Sequence, residues 1–167
     1  MADAAPVALA ERLQGICVPR GLTVATAESC TGGLIAEAIT SVPGSSGYFL
    51  GAIVAYADAV KEGALGVPAA VLAAHGAVSA QVALAMASGV RERLGATLAV
   101  SVTGVAGPNG GSAAKPVGLT YIGLASKQGS EVRKFVFAAD RAGNRNAAAI
   151  AALEWLVETA ERSGPAR

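Results

Sequence analysis

A chain of 167 residues is long enough for one self-sufficient core, and a formal net charge of +1 with scattered Lys and Arg offers no surface for nucleic acid or an anionic membrane. Hydrophobic residues make up 53% but aromatics only 4%, so the apolarity is Ala and Val, supplemented by 21 Gly. Small side chains let helices and strands approach closely; the surplus fits either a face buried in a homo-oligomer or an alanine-rich genomic background.

Val7, Leu9, Leu13 and Ile16 have helical spacing, predicting a first helix that opens near Asp3 and Pro6 and stops at Pro19 and Gly21. The apolar run 22–27 predicts strand one, followed by a polar turn and a helix over 34–39 that ends near Pro43-Gly44. Strand two is predicted over 49–56. Asp58 is the expected cap of a short helix through Lys61 to Leu65, and Pro68 opens another that Gly76 ends. Ser79 caps a longer helix reaching Leu94 and closed by Gly95. Residues 98–103 carry no charge and predict a strand buried on both faces. A loop over 104–116 then leads to strands at 117–126 and 131–138, joined as a hairpin by 127–130. The last helix is expected from about Asp140 to Glu161, with Ile150, Leu153, Leu156 and Val157 on one face. Five strands interleaved with helices, one pair being a hairpin, predict a three-layer α/β/α sandwich on a mixed five-stranded sheet.

No apolar run reaches the ~18 residues of a bilayer span, and residues 1–6 lack the basic and apolar pattern of a secretory leader. Cys17, Cys30 and the single His75 make neither a disulfide framework nor a zinc site. A cytoplasmic protein without metal or cofactor is expected.

Three loops fall at strand ends, where open α/β sheets bind ligands. Glu28-Ser29-Cys30-Thr31-Gly32-Gly33 is a small polar turn feeding a helix, a place for hydroxyls and free N–H groups to hold an anion or support a nucleophile. The second loop runs from Tyr56 to Lys61. The third begins Thr103-Gly104-Val105-Ala106-Gly107-Pro108, and its length and glycines suit close backbone approach to a ligand. A serine nucleophile needs a base. His75 reads as a helix-terminal residue, which leaves Lys61, with a Tyr hydroxyl to relay the proton or position the amine. A lysine base must be tuned well below its ordinary ~10.4. A helix terminus contributes only ~0.3–2 kcal/mol, so desolvation must supply most of that change. Residue types alone leave other roles open. Helix capping is the commonest job of residues such as Ser29 and Thr31. A lone Lys61 is more often solvated, and Cys30 is either small core filler or a rival nucleophile. Arg141 and Arg145, four apart on one helix face, either grip a phosphate or decorate the surface.

Together these segments resemble the CinA C-terminal domain family, whose members include nicotinamide-mononucleotide amidases. The resemblance runs in order through residues 26–33, 43–46, Tyr56 with Lys61, 66–67, 75–79, 103–108, 110–112, 115–118 and Asp140-Arg141. It implies hydrolysis of the carboxamide of nicotinamide mononucleotide to nicotinate mononucleotide and ammonia, in pyridine-nucleotide salvage. It also implies a metal-free mechanism with Ser29 as nucleophile and Lys61 and Tyr56 assisting. Oxyanion and phosphate sites would then come from Cys30, Thr31, Gly32 and Gly33, from Thr103, Gly104, Ala106 and Gly107, and from Arg141. The family commonly has Tyr-Ser-Asn where this chain has Tyr56-Ala57-Asp58, and an acid near Lys61 favours the charged ammonium and opposes its use as a base. Two alternatives stand beside the amidase: a catalytically silent nucleotide-binding module of a competence- or damage-inducible protein, and a Ser/Lys amidase for another small amide. Many family members carry a further N-terminal domain. The expectation here is the stand-alone form, one amidohydrolase-like domain over residues 1–167.

Overall fold

Uninterrupted runs of small and β-branched residues set the central strands. In the computed structural model, which describes residues 4–166, these strands are β1 (Val24–Glu28), β2 (Phe49–Val54), β3 (Leu98–Gly104), β4 (Leu119–Ser126) and β5 (Gly129–Val136). The helices are α1 (Ala4–Arg20), α2 (Leu34–Thr40), α3 (Asp58–Leu65), α4 (Ala69–His75), α5 (Ala80–Leu94) and α6 (Arg141–Arg162). One sheet takes the order β2-β1-β3-β4-β5. Strand β1 is parallel to β2 and β3, whereas β4 is antiparallel to both β3 and β5. The mixed sheet expected from the hairpin is the one that forms. Val24, Leu98, Val100, Val102 and Ile122 pack against α1, α2 and α6. Ala25, Ala27 and Ala99 face α3, α4 and α5 instead. The result is a three-layer α/β/α sandwich.

Several boundaries differ from the sequence reading. Helix α1 continues through Pro19, because its last turn closes with the Gly21 and Leu22 amides on the Val18 and Cys17 carbonyls, bonds that need no amide from residue 19. The expected opening near Asp3 lies outside the described residues. The hairpin loop is two residues, not four: Ser126 pairs with Gly129, and the Ser126 hydroxyl accepts the Gln128 amide at 3.1 Å. On α6 the buried face is Leu153, Leu156 and Val157 with Ala148, Ala149, Ala152 and Ala160, while Ile150 is only half-buried.

The small-residue composition has a direct packing consequence. A Cβ at Gly89 of α5 would lie 1.9 Å from the Leu65 carbonyl oxygen, and one at Gly123 of β4 would lie 2.4 Å from the Ala83 carbonyl oxygen. Helix-to-helix and helix-to-sheet spacing here leaves no room for a methyl group. Gly63 of α3 has nothing within 4 Å of its would-be Cβ. Alanine gains ~1 kcal/mol of helix propensity over glycine, whereas overpacking costs ~1–3 kcal/mol or more. Gly63→Ala is therefore expected to raise the denaturant midpoint and Gly89→Ala to lower it, as measured by urea unfolding.

Candidate active site

Glu28 is in register with Val54 on one side and Val102 on the other. The residues that follow, Ser29, Ala55-Tyr56 and Thr103, therefore emerge together at one edge of the parallel strands. Backbone bonds continue the register past the strand ends, from Ser29 N–H to Val102 O at 2.9 Å and from Ala55 N–H to Glu28 O at 2.8 Å. The three loops singled out from sequence meet there because three adjacent strands end level.

The start of α2 is not capped by Ser29 or Thr31. The fully buried Glu28 carboxylate reaches over the turn and accepts the amides of Gly33 (2.9 Å), Ile35 (3.2 Å) and Ala36 (3.0 Å). The Gly32 amide closes on the Ser29 carbonyl at 3.1 Å. Gly32 and Gly33 amides are thus engaged within the turn. Among the described residues, only the Cys30 and Thr31 amides of this segment make no hydrogen bond to another residue. The Ser29 hydroxyl, which would have been spent as a cap, has no partner among the described residues. Hydrogen bonds to a charged group are worth about 1.5–3 kcal/mol each. Glu28→Gln replaces one carboxylate oxygen by an NH2 that faces amide donors, and we expect it to lower stability by about 3 kcal/mol, measurable by thermal or urea unfolding.

Lys61 lies on the buried face of α3, one turn before Leu65, and its side chain is 1% exposed. Its ammonium donates to the Tyr56 carbonyl at 2.9 Å and lies 3.8 Å from Asp58 Oδ1. Burial lowers the Lys61 pKa from its ordinary value, and the Asp58 carboxylate opposes that shift. Asp58 is 61% exposed, so its field is screened by solvent and desolvation prevails. Asp58 was expected to cap α3, but the cap position is Ala57 without a side-chain bond, and Asp58 sits in the first turn beside Lys61. Cys30 is buried, which pushes its thiol up to about 11 and keeps it protonated at neutral pH. That weighs against Cys30 as the nucleophile.

The first turn of α6 ties the loops together, and the sequence reading passed over one of its residues. Asn144, buried, donates to Ala106 O at 3.1 Å and accepts the Ala139 amide at 3.0 Å. Arg141 donates to Gly107 O at 2.8 Å and to the Tyr56 hydroxyl at 3.1 Å. Arg145 donates to Cys30 O at 3.0 Å and to Thr31 O at 2.9 Å. The i, i+3, i+4 spacing of 141, 144 and 145 was the available signal, since it puts all three on one helical face. Tyr56, 62% exposed, holds Lys61 by its carbonyl while its hydroxyl is held by Arg141. The Thr103 hydroxyl donates to Ala77 O at 2.8 Å, anchoring the segment after α4.

Ser29, Cys30, Tyr56, Lys61, Thr103, Gly104, Ala106 and Arg141 line one cavity of about 220 Å3, together with Asp58. Thr31, Gly32, Gly33 and Gly107 do not line it. A second cavity of about 650 Å3 shares Ala106 and Arg141 with the first and adds Val117, Asp140 and Arg145. His75 ends α4 as expected, and its carbonyl accepts the Lys115 ammonium at 2.6 Å. No cluster of metal-ligating side chains occurs among the described residues.

The fold and this cavity define a small α/β domain whose candidate site lies at the ends of parallel strands. The chain belongs to the CinA C-terminal domain family, whose model matches residues 7–160. A CinA-like protein of Geobacter sulfurreducens is 56% identical over 137 residues, covering 82% of this chain and 33% of the relative. A putative competence-damage inducible protein of Moorella thermoacetica is 52% identical over 126 residues, covering 75% of this chain and 30% of the relative. The chain therefore spans about a third of the length of these curated relatives. Among solved structures, the competence/damage inducible protein CihA of Agrobacterium tumefaciens superposes with a TM-score of 0.92 at 42% identity, covering 95% of this chain and 97% of that one. A CinA superfamily protein of Escherichia coli gives a TM-score of 0.89 at 30% identity, covering 95% and 93%. No described helix is long and apolar enough to cross a membrane.

Proposed function

We propose that this domain hydrolyses the carboxamide of nicotinamide mononucleotide to the carboxylate and ammonia. One observation carries the reading. Ser29, with a hydroxyl that makes no structural hydrogen bond among the described residues, lines the same small cavity as Lys61, whose burial favours the neutral amine. In this reading neutral Lys61 takes the Ser29 proton as Oγ attacks the carboxamide carbon. The tetrahedral oxyanion collapses, the C–N bond breaks, and Lys61 returns the proton to the departing ammonia. Water, deprotonated by Lys61, then attacks the Ser29 ester, and Lys61 returns that proton to Ser29 Oγ as the ester bond breaks and the acid leaves. The Cys30 amide, on the residue after the nucleophile and bonded to no other residue among those described, is the available oxyanion donor.

The larger neighbouring cavity supports a substrate with an anionic extension. Arg141 and Arg145 both line it, and guanidinium groups suit a phosphate. A rival reading, a silent nucleotide-binding module, draws on Asp58 at 3.8 Å from the Lys61 ammonium. Calorimetric titration of the nucleotide combined with chromatography of the products separates the two. Binding with conversion to the acid nucleotide is expected; binding with the amide recovered intact would favour the silent module. Turnover of other small amides at equal rates would point to a broader Ser/Lys amidase.

A further inference from the structure

Resting on the amidase reading, we propose that Arg145 is a positioning residue that holds the Ser29 turn in its productive form and makes turnover respond to the substrate's anionic group. The three carbonyls after the nucleophile are all tied down. Ser29 O accepts the Gly32 amide, and Cys30 O and Thr31 O accept Arg145 Nε and Nη2. A trans peptide places its N–H opposite its C=O, so fixing these carbonyls fixes the direction of the amides and keeps carbonyl dipoles from turning toward a developing oxyanion. With Arg145 gone, the Cys30–Thr31 peptide loses the only side chain that holds its orientation among the described residues.

Gly32 is built around this clamp. Its φ is +60°, and a Cβ there would come within 3.2 Å of Arg145 Nη2. The guanidinium is also shared between two places. Arg145 clamps the turn with Nε and Nη2, has Nη1 without a partner among the described residues, and lines the larger cavity beside Arg141. An anion there that engages Nη1 steadies the whole planar fork, and with it the turn. Binding energy from the non-reacting end of the substrate is thereby spent on orientation at the reacting end, which shows in kcat as well as in KM.

The test compares nicotinamide mononucleotide with its phosphate-free riboside on the purified wild type, Arg145→Lys, Arg145→Met and Gly32→Ala, each checked for an intact thermal transition. Wild type is expected to show a higher kcat on the nucleotide than on the riboside. Arg145→Met should lower kcat on the nucleotide about 100-fold, the scale of a small misplacement of reacting groups, and bring the two substrates to similar kcat. Arg145→Lys should recover KM for the nucleotide through its charge but not kcat, because an ammonium cannot bridge both carbonyls. Gly32→Ala, with Arg145 present but displaced, should follow Arg145→Met in kcat. If Arg145→Met raises KM alone, or lowers kcat equally on both substrates, the proposal is overturned while the amidase reading stands. A wild type inert on both substrates overturns the amidase reading and this proposal with it.

Discussion

Lys61→Met is expected to lower turnover about 10³-fold, within the range for loss of a general acid–base, without lowering stability. Methionine follows the unbranched path of the lysine stem, one atom shorter, and removes a cation from a site that is 1% exposed. The pH dependence distinguishes this from simple damage. Burial holds the Lys61 pKa below its unfolded value, so between the two values the unfolded chain binds more protons than the folded one. Stability therefore rises with pH through that window. Below the folded pKa the full cost of burying the charge is present, and above the unfolded value, ~10.4, it is gone. The variant should be more stable than wild type at low pH by a margin that closes as pH rises, read from thermal unfolding at several pH values. Wild-type kcat should climb with pH through the lowered Lys61 pKa and then level off. A variant that keeps wild-type kcat would remove Lys61 from the chemistry.

Ser29→Ala is expected to lower turnover by about 10⁴-fold or more, as loss of a nucleophile does, while changing stability by no more than about 0.5 kcal/mol. The small stability effect follows from the geometry of the turn. Glu28 caps α2, and Arg145 and the Gly32 amide hold the carbonyls. Ser29 Oγ does none of this work. If Ser29 were a helix cap instead, its replacement by alanine would cost about 1 kcal/mol and leave the chemistry intact. Urea unfolding and a kinetic assay on the same preparation therefore assign the residue.

Most of the architecture was legible because the signals were long. The uncharged run at 98–103 gave a central strand, and the turn residues at 127–130 gave an antiparallel pair at the sheet's end. Glu28 was not legible as a cap. Capping patterns look for a short polar side chain next to the helix, whereas Glu28 reaches from a strand end to amides five to eight positions ahead. Asp58 fits the capping pattern, yet it sits in the first turn beside Lys61, the neighbour that its i, i+3 spacing allowed. Burial of Lys61 was equally hidden, since its neighbours in sequence, Val60 and Glu62, are exposed. Asn144 and Arg145 carried a readable i+3, i+4 relation to Arg141 at the start of a helix, but their partners lie 38 and 115 positions away. Local pattern gives the elements, and these contacts exist only once the sheet brings three loops together.

The most direct measurement is ammonia release from nicotinamide mononucleotide by the purified protein, run beside Ser29→Ala at equal concentration. Wild type should release one ammonia for each nucleotide converted to its carboxylate, and the variant should show none above background. Equal release from the two proteins, or none from either, would contradict a Ser29-dependent amidase.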